Sequence, residues 1–347
     1  MIDAVALPKI SLHEHLDGCV RLATLLELSE AGGKPLPANG VEGLRQWILA
    51  GSRSGSLVDY LRSFDLTLAV MQTEDQLFRV AREYVLDQAA DGVIHAEVRW
   101  APELHTAGGL AMEAAVEAVQ AGLDAGMAAS PGTRVTQILS GMRHLDRVSD
   151  VADLALAWRD RGVVAFDLAG PEDGYPASLH ADTLDRLARA WMPVTLHAGE
   201  AAGVSSIASA LLDGHALRLG HGVRIAEDIS DSDELGPVAT WVRDRQVPLE
   251  TSPTSNWHTG AFATRGTSFS DHPFLVLDRL GFAVTINTDN RLMSDTRLSA
   301  ELAALTDAFS LSTDDHLRYQ LTASSAVFLP PAERLALGER VLAGFPG

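Results

Sequence analysis

The chain has 347 residues, 46% of them hydrophobic, a composition that excludes a fibrous or disordered protein and supplies a core of enzyme size. Its formal net charge is −19 and its 27 Lys and Arg residues are scattered, so no basic face is available to a nucleic acid. A lone cysteine, Cys19, excludes intrachain disulfides, Cys-rich zinc modules and a CxxC redox pair, and favours a cytoplasmic location.

The N-terminus, MIDAVALPKISLHEH, lacks the basic start and apolar core of a signal peptide. No apolar run approaches the ~20 residues of a membrane span, so a soluble protein with no membrane partner is expected. Short β-branched or apolar runs then alternate with stretches at helical spacing, the pattern of βα units around a parallel sheet. Strands are predicted at Lys9–His15, Val93–Trp100, Arg134–Ser140, Val163–Leu168, Val194–His197, Leu217–Gly220, Val247–Thr251 and Ala283–Asn287. Helices are predicted between them, among them Met112–Gly126, Val151–Arg161, Ala181–Ala190 and Ile207–Leu212. Ionisable residues cluster after the C-terminal ends of many strands, which favours a (β/α)₈ barrel over a doubly wound open sheet. With no repeat or linker in sight, residues 1–347 read as a single domain.

The stretch from Cys19 to Asp91 is long for a connection, and reads as a helical insertion after the first strand. Within it Leu57, Tyr60, Leu61 and Phe64 fall at i, i+3, i+4 and i+7, one apolar helix face. That face packs on the barrel, covers a pocket as a lid, or does both. The Gly- and Ser-rich run Gly51–Ser56 has the composition of a mobile loop.

The chemistry gathers at strand ends. His13 and His15 in SLHEHLDG lie two apart on a strand and project to one face. His197 ends a strand in VTLHAGE, with Glu200 three residues on past a small Ala198–Gly199 turn; His221 lies between two glycines in RLGHGVR, and Asp289 follows the eighth strand in VTINTDN. Three imidazoles and one carboxylate make a nitrogen and oxygen donor set suited to zinc. Such a metal lowers the pKa of bound water toward about 7, and hydrolysis becomes the natural reaction class. Glu200 and His221 remain, one available as proton donor and one to orient or deprotonate water.

Together PKISLHEHLDG, DLAGPE, TLHAGE, RLGHGVR, LETSPTSN and INTDN resemble the adenosine deaminase family of the amidohydrolase superfamily, in the family's order from Pro8 to Asn290. The resemblance implies one Zn²⁺ per chain, held by His13, His15, His197 and Asp289, with Asp289 also hydrogen-bonded to the bound hydroxide and His221 steering the water. It implies Glu200 as the acid that protonates purine N1, Asp17 as acceptor of the ribose 5′-hydroxyl, and the Gly170 backbone as a contact to purine N3. Leu57, Tyr60, Leu61 and Phe64 match the family's hydrophobic gate. The small-molecule partners so implied are a purine nucleoside and water, while oligomeric state stays open.

The sequence departs from the pattern twice. Asn290 stands where the family usually has a second aspartate in contact with purine N7, and its amide can still donate there. Ser252 replaces a cysteine that carries no catalytic role. Related aminopurine deaminases, acting on adenine or a 5′-modified adenosine of the aminofutalosine type, share these residues, as does a barrel that binds a nucleoside without turnover. AMP is disfavoured, since the Asp17 carboxylate would repel a phosphate. The zinc deaminases that act on flipped bases need a PCxxC pair that this chain lacks.

Overall fold

The computed structural model describes residues 3–53 and 63–346. All eight predicted strands form: β1 Lys9–His15, β2 Val93–Trp100, β3 Arg134–Met142, β4 Val163–Ala169, β5 Thr195–Ala198, β6 Arg218–His221, β7 Leu249–Thr251 and β8 Val284–Ile286. They pair in parallel in two four-stranded runs, β1-β2-β3-β4 and β5-β6-β7-β8. Bridges between Phe166 and Val194 and between Glu14 and Asp289 join the runs at both edges, so the sheet closes into the expected barrel.

The seam between β8 and β1 needs help, because β8 is only three residues long. The His15 N–H donates to the Asp289 carbonyl at 2.8 Å, and the Asp289 N–H to the His13 carbonyl at 3.0 Å. Below them the Asn287 side-chain oxygen accepts from the N–H groups of Leu12 and His13 at 2.8 and 3.2 Å, standing in for ladder bonds that β8 is too short to make.

Among the described residues, the helical insertion after β1 comprises Leu22–Ala31, Gly40–Ser52, Phe64–Leu68 and Glu74–Ala90. Gly51 and Ser52 of the expected mobile loop are the last turn of one of these helices, and the rest of that run beyond Arg53 lies outside the described residues. Elsewhere the corrections are local. The helix predicted over 151–161 runs Val148–Ala157, and Arg159–Arg161 forms a separate 3₁₀ turn before Gly162 (φ 105°) enters β4. The helix predicted from Ile207 begins at Val204, its first turn hidden by the polar Ser205 and Ser206.

The C-terminal helices carry no motif yet support the first strand. Leu7, Ile10 and Leu12 pack against Ala323, Val327, Leu337, Val341 and Phe345. Gln320, on a helix Thr313–Ala326 opened by a Ser312–Asp315 capping box, accepts the Ile10 N–H at 2.8 Å.

The barrel interior holds charges. Arg99 on β2 donates to Glu250 on β7 at 2.6 Å and to the Leu12 carbonyl at 2.7 Å, and lies 3.6 Å from Asp167 on β4. β2 and β7 are not neighbours in the sheet, so this contact crosses the barrel. Arg218 on β6 sits 2.6 Å from both Glu250 and Glu97, and Thr195 donates to Glu250 at 3.0 Å. Every one of these charged side chains is buried. Burial alone would raise the Glu250 pKa, but Arg99 and Arg218 beside it hold the carboxyl well below its usual range.

Arg99→Met leaves Glu250 and Asp167 without their shared countercharge, and removal of one partner from such a buried set costs about 3–5 kcal/mol. Urea unfolding of the variant should show that loss. An unchanged midpoint would mean that the network carries no net stability.

Candidate active site

The strand ends bring the predicted donors to one point. His13 and His15 share the inner face of β1, His197 comes from β5, and Asp289 follows β8; one donor atom from each lies within 4.8 Å of all the others. His15 Nε2 and His197 Nε2 are 3.1 Å apart, and the Nε2 atoms of His13 and His15 each lie 3.4 Å from Asp289 Oδ1.

The barrel charges determine which ring nitrogens are bare. His13 Nδ1 faces the Glu250 carboxylate at 3.1 Å and His197 Nδ1 faces Asp167 at 3.1 Å, so both rings carry their proton on Nδ1 and turn an Nε2 lone pair inward. Burial, reinforced by the Arg99 charge, pushes the His13 pKa down to about 4, and burial pushes that of His15 well below its ordinary value. These are neutral imidazoles, the form that binds metal. His13 Nε2 is buried without a hydrogen-bond partner. Lone pairs and a carboxylate oxygen converging with no donor between them fit a cation, and the set of ligand types fits zinc.

Glu200 is held beside this cluster by its own backbone. Glu172, in DLAGPE, accepts from four successive N–H groups, those of Gly199, Glu200, Ala201 and Ala202, at 2.6 to 3.0 Å. The Glu200 side chain accepts from the Thr259 hydroxyl at 2.9 Å and lies 3.5 Å from His221 Nε2. Burial raises its pKa, against the opposing pull of His221. His221 and Asp289 both occupy the left-handed region, at φ 62° and 60°, a conformation costly for residues with a Cβ and common where geometry serves chemistry. Ser255 donates to the second Asp289 oxygen at 2.6 Å.

A cavity of about 390 Å³ opens above, lined by His15, Asp17, Phe64, Gly170, His197, Glu200, His221, Asp289 and Asn290 among others. His13 lies beneath it, fully buried. Asp17 Oδ1 is buried without a partner, and burial pushes this carboxyl up to about 7. Gly170 has φ 91°, and a Cβ there would meet His144 at 2.9 Å, so the backbone itself forms that wall. Asn290 sets its side-chain oxygen against Gly18, where a Cβ would come within 1.9 Å. Of the expected gate, Phe64 lines the cavity beside Leu68 and Leu104, while Leu57, Tyr60 and Leu61 lie outside the described residues.

Sequence reasoning missed Arg99, a charge inside β2, and gave no role to Asp167, Arg218 and Glu250, although these three fell within quoted motifs. Their position was the available signal, since an ionisable group inside a predicted barrel strand needs a buried partner. Glu172, Ser255 and Asn256 fell within quoted motifs but received no role.

The adenosine deaminase family model matches residues 8–343. An adenosine deaminase of Mycolicibacterium vanbaalenii is 47% identical over 344 residues, 96% of this chain and 94% of that protein. Among solved structures, an adenine deaminase from Arthrobacter aurescens superposes with a TM-score of 0.85 at 27% identity, covering 97% of this chain and 98% of the other. The Arabidopsis protein ADAL in complex with GMP gives 0.84 at 27% identity, covering 99% and 98%. With the barrel closed, the donors gathered at its mouth and the family matched over nearly the whole length, the chain belongs to the adenosine deaminase family.

Proposed function

We propose that this chain is a single-domain, zinc-dependent hydrolytic deaminase that converts adenosine or 2′-deoxyadenosine and water to inosine or 2′-deoxyinosine and ammonia. Its place would be purine salvage in the cytoplasm, with one zinc per chain. The observation that carries the reading is the meeting of His13, His15, His197 and Asp289 within 4.8 Å, beside a buried Glu200 of raised pKa.

Those four residues would hold the zinc, whose Lewis acidity lowers the pKa of water and makes it a nucleophile at neutral pH. Glu200 protonates purine N1, drawing electron density from C6. Water adds at C6, and the exocyclic nitrogen leaves as ammonia. His221 steers the attacking water. The Gly170 backbone meets purine N3. Asn290, with its oxygen turned to Gly18, offers its amide nitrogen to N7, so adenine recognition tolerates the missing aspartate. Phe64, beside Leu68 and Leu104, covers the base.

The sugar end separates the candidate substrates. Asp17 presents a buried, unpartnered oxygen that the 5′-hydroxyl of a nucleoside satisfies and free adenine does not. The structures of relatives bound to IMP and GMP show that this fold also accepts nucleotides. Here Asp17 and Asp65 line the cavity, and no Lys or Arg stands among its described lining residues, which favours a neutral 5′ end.

Glu200→Gln should keep its zinc, measured by elemental analysis, and lose about 10²–10⁴-fold in kcat for adenosine. Near-normal rates would remove Glu200 from the role of acid. His15→Ala should lose both zinc and turnover, and a chelator should abolish ammonia release from the unsubstituted enzyme. Asp17→Ala should raise the KM for adenosine by at least about tenfold while leaving 5′-deoxyadenosine little affected, the loss of one hydrogen bond to a charged group. Equal losses on both substrates would refute the 5′-hydroxyl contact.

A further inference from the structure

His221 touches the reacting region through Nε2, and the chemistry depends on whether that atom carries a proton. The answer can be traced through a buried chain of hydrogen bonds behind the ring. The Phe274 backbone N–H donates to His272 Nδ1 at 3.0 Å, and a backbone N–H can only donate. His272 Nδ1 is therefore bare, and the proton of this buried ring sits on Nε2. That Nε2 lies 3.2 Å from the Asn256 side-chain oxygen, to which it donates. A second backbone group, the Ser252 N–H, donates to the same oxygen at 3.2 Å and fixes the amide in the same sense. The Asn256 amide nitrogen then points at His221 Nδ1, 2.9 Å away, and donates to it.

We infer that Asn256, polarised by Ser252 N–H and by the His272–Phe274 relay, is a positioning residue that holds His221 as the Nε2–H tautomer and makes it a hydrogen-bond donor rather than a base or a metal ligand. Asn256, His221 and His272 are all buried, so water does not compete for these contacts. The contrast with the ligands is built into the fold. Carboxylates behind His13 and His197 accept from Nδ1 and bare Nε2, whereas an amide donor behind His221 does the reverse. Two ring environments of opposite polarity thus stand within one cluster, with His13 and His221 only 4.7 Å apart between centroids. The burial that lowers the His272 pKa to about 3 keeps the relay neutral.

The inference concerns the same site as the deaminase reading and rests on it only for the catalytic consequence. Long-range ¹H–¹⁵N correlation spectra of histidine-labelled enzyme, without substrate, read the tautomer directly, with His221→Asn assigning the signals. The expected pattern is a pyridine-type Nδ1 and a pyrrole-type Nε2 for His221, with and without zinc. Asn256→Asp places an acceptor behind the ring and should reverse the pattern, with kcat for adenosine falling about 10²-fold while zinc content is unchanged. His272→Gln, which restores a donor to the Asn256 oxygen, should leave the pattern as in the unsubstituted protein. A pyrrole-type Nδ1 on His221 in the unsubstituted enzyme overturns the inference, and does so even if Asn256→Asp fails to fold. An unreversed pattern in a folded Asn256→Asp protein overturns it as well. Absence of ammonia release from adenosine would instead strike the deaminase reading and leave the tautomer assignment standing.

Discussion

The contact on which the rest depends is the one between Arg99 and Glu250 across the barrel interior, 2.6 Å long and fully buried. A barrel of this kind can be filled with layers of branched apolar side chains. This one spends part of its interior on two arginines and three carboxylates. The cost of desolvating them is offset only because each finds several partners, and the result is an interior with a definite electrical polarity. Glu250 and Asp167, ionised and held in place, orient the imidazoles above them. One network therefore acts both as packing and as the device that sets the protonation of the imidazoles gathered at the barrel mouth.

Above this floor the site is made by backbone constraint. Asp289 is placed by a left-handed turn and by its own pairing with β1 at the seam, so strand closure and donor placement are a single event. Glu200 is placed by a turn whose N–H groups all point at Glu172. The side chains that do chemistry have little freedom left once the main chain has formed, as preorganised electrostatics demands.

Much of this was legible in the sequence because barrel strands advertise their ends. His13, His15, His197, His221 and Asp289 each sit where an apolar run meets glycines or polar residues, and that local contrast survives in one dimension. The interior charges do not show in this way. Arg99 and Glu250 are 151 residues apart and belong to strands that are not adjacent, so neither periodicity nor spacing connects them. Asn256 and His272 escaped for a related reason. Their importance lies in which atom donates to which, a property that exists only once the helix Pro253–Thr259 and the turn at His272 are folded against each other. The C-terminal helices were silent because they support β1 through ordinary apolar packing, which leaves a pattern common to any helix.

The seam between β8 and β1 also bears on how the protein comes into being. His13 and His15 leave the ribosome long before β8, so their strand is unpaired on one edge until β8 arrives, and Glu14 meets Thr288 at a separation of 274 residues. Helices supplying Ala323 and Val341 emerge later still. During synthesis β1 waits with an open edge and two unsatisfied imidazoles while the other seven strands are made. Assembly of the four-donor cluster is thus tied to closure of the barrel, and a product truncated before β8 carries His13 and His15 without the Asp289 that meets them.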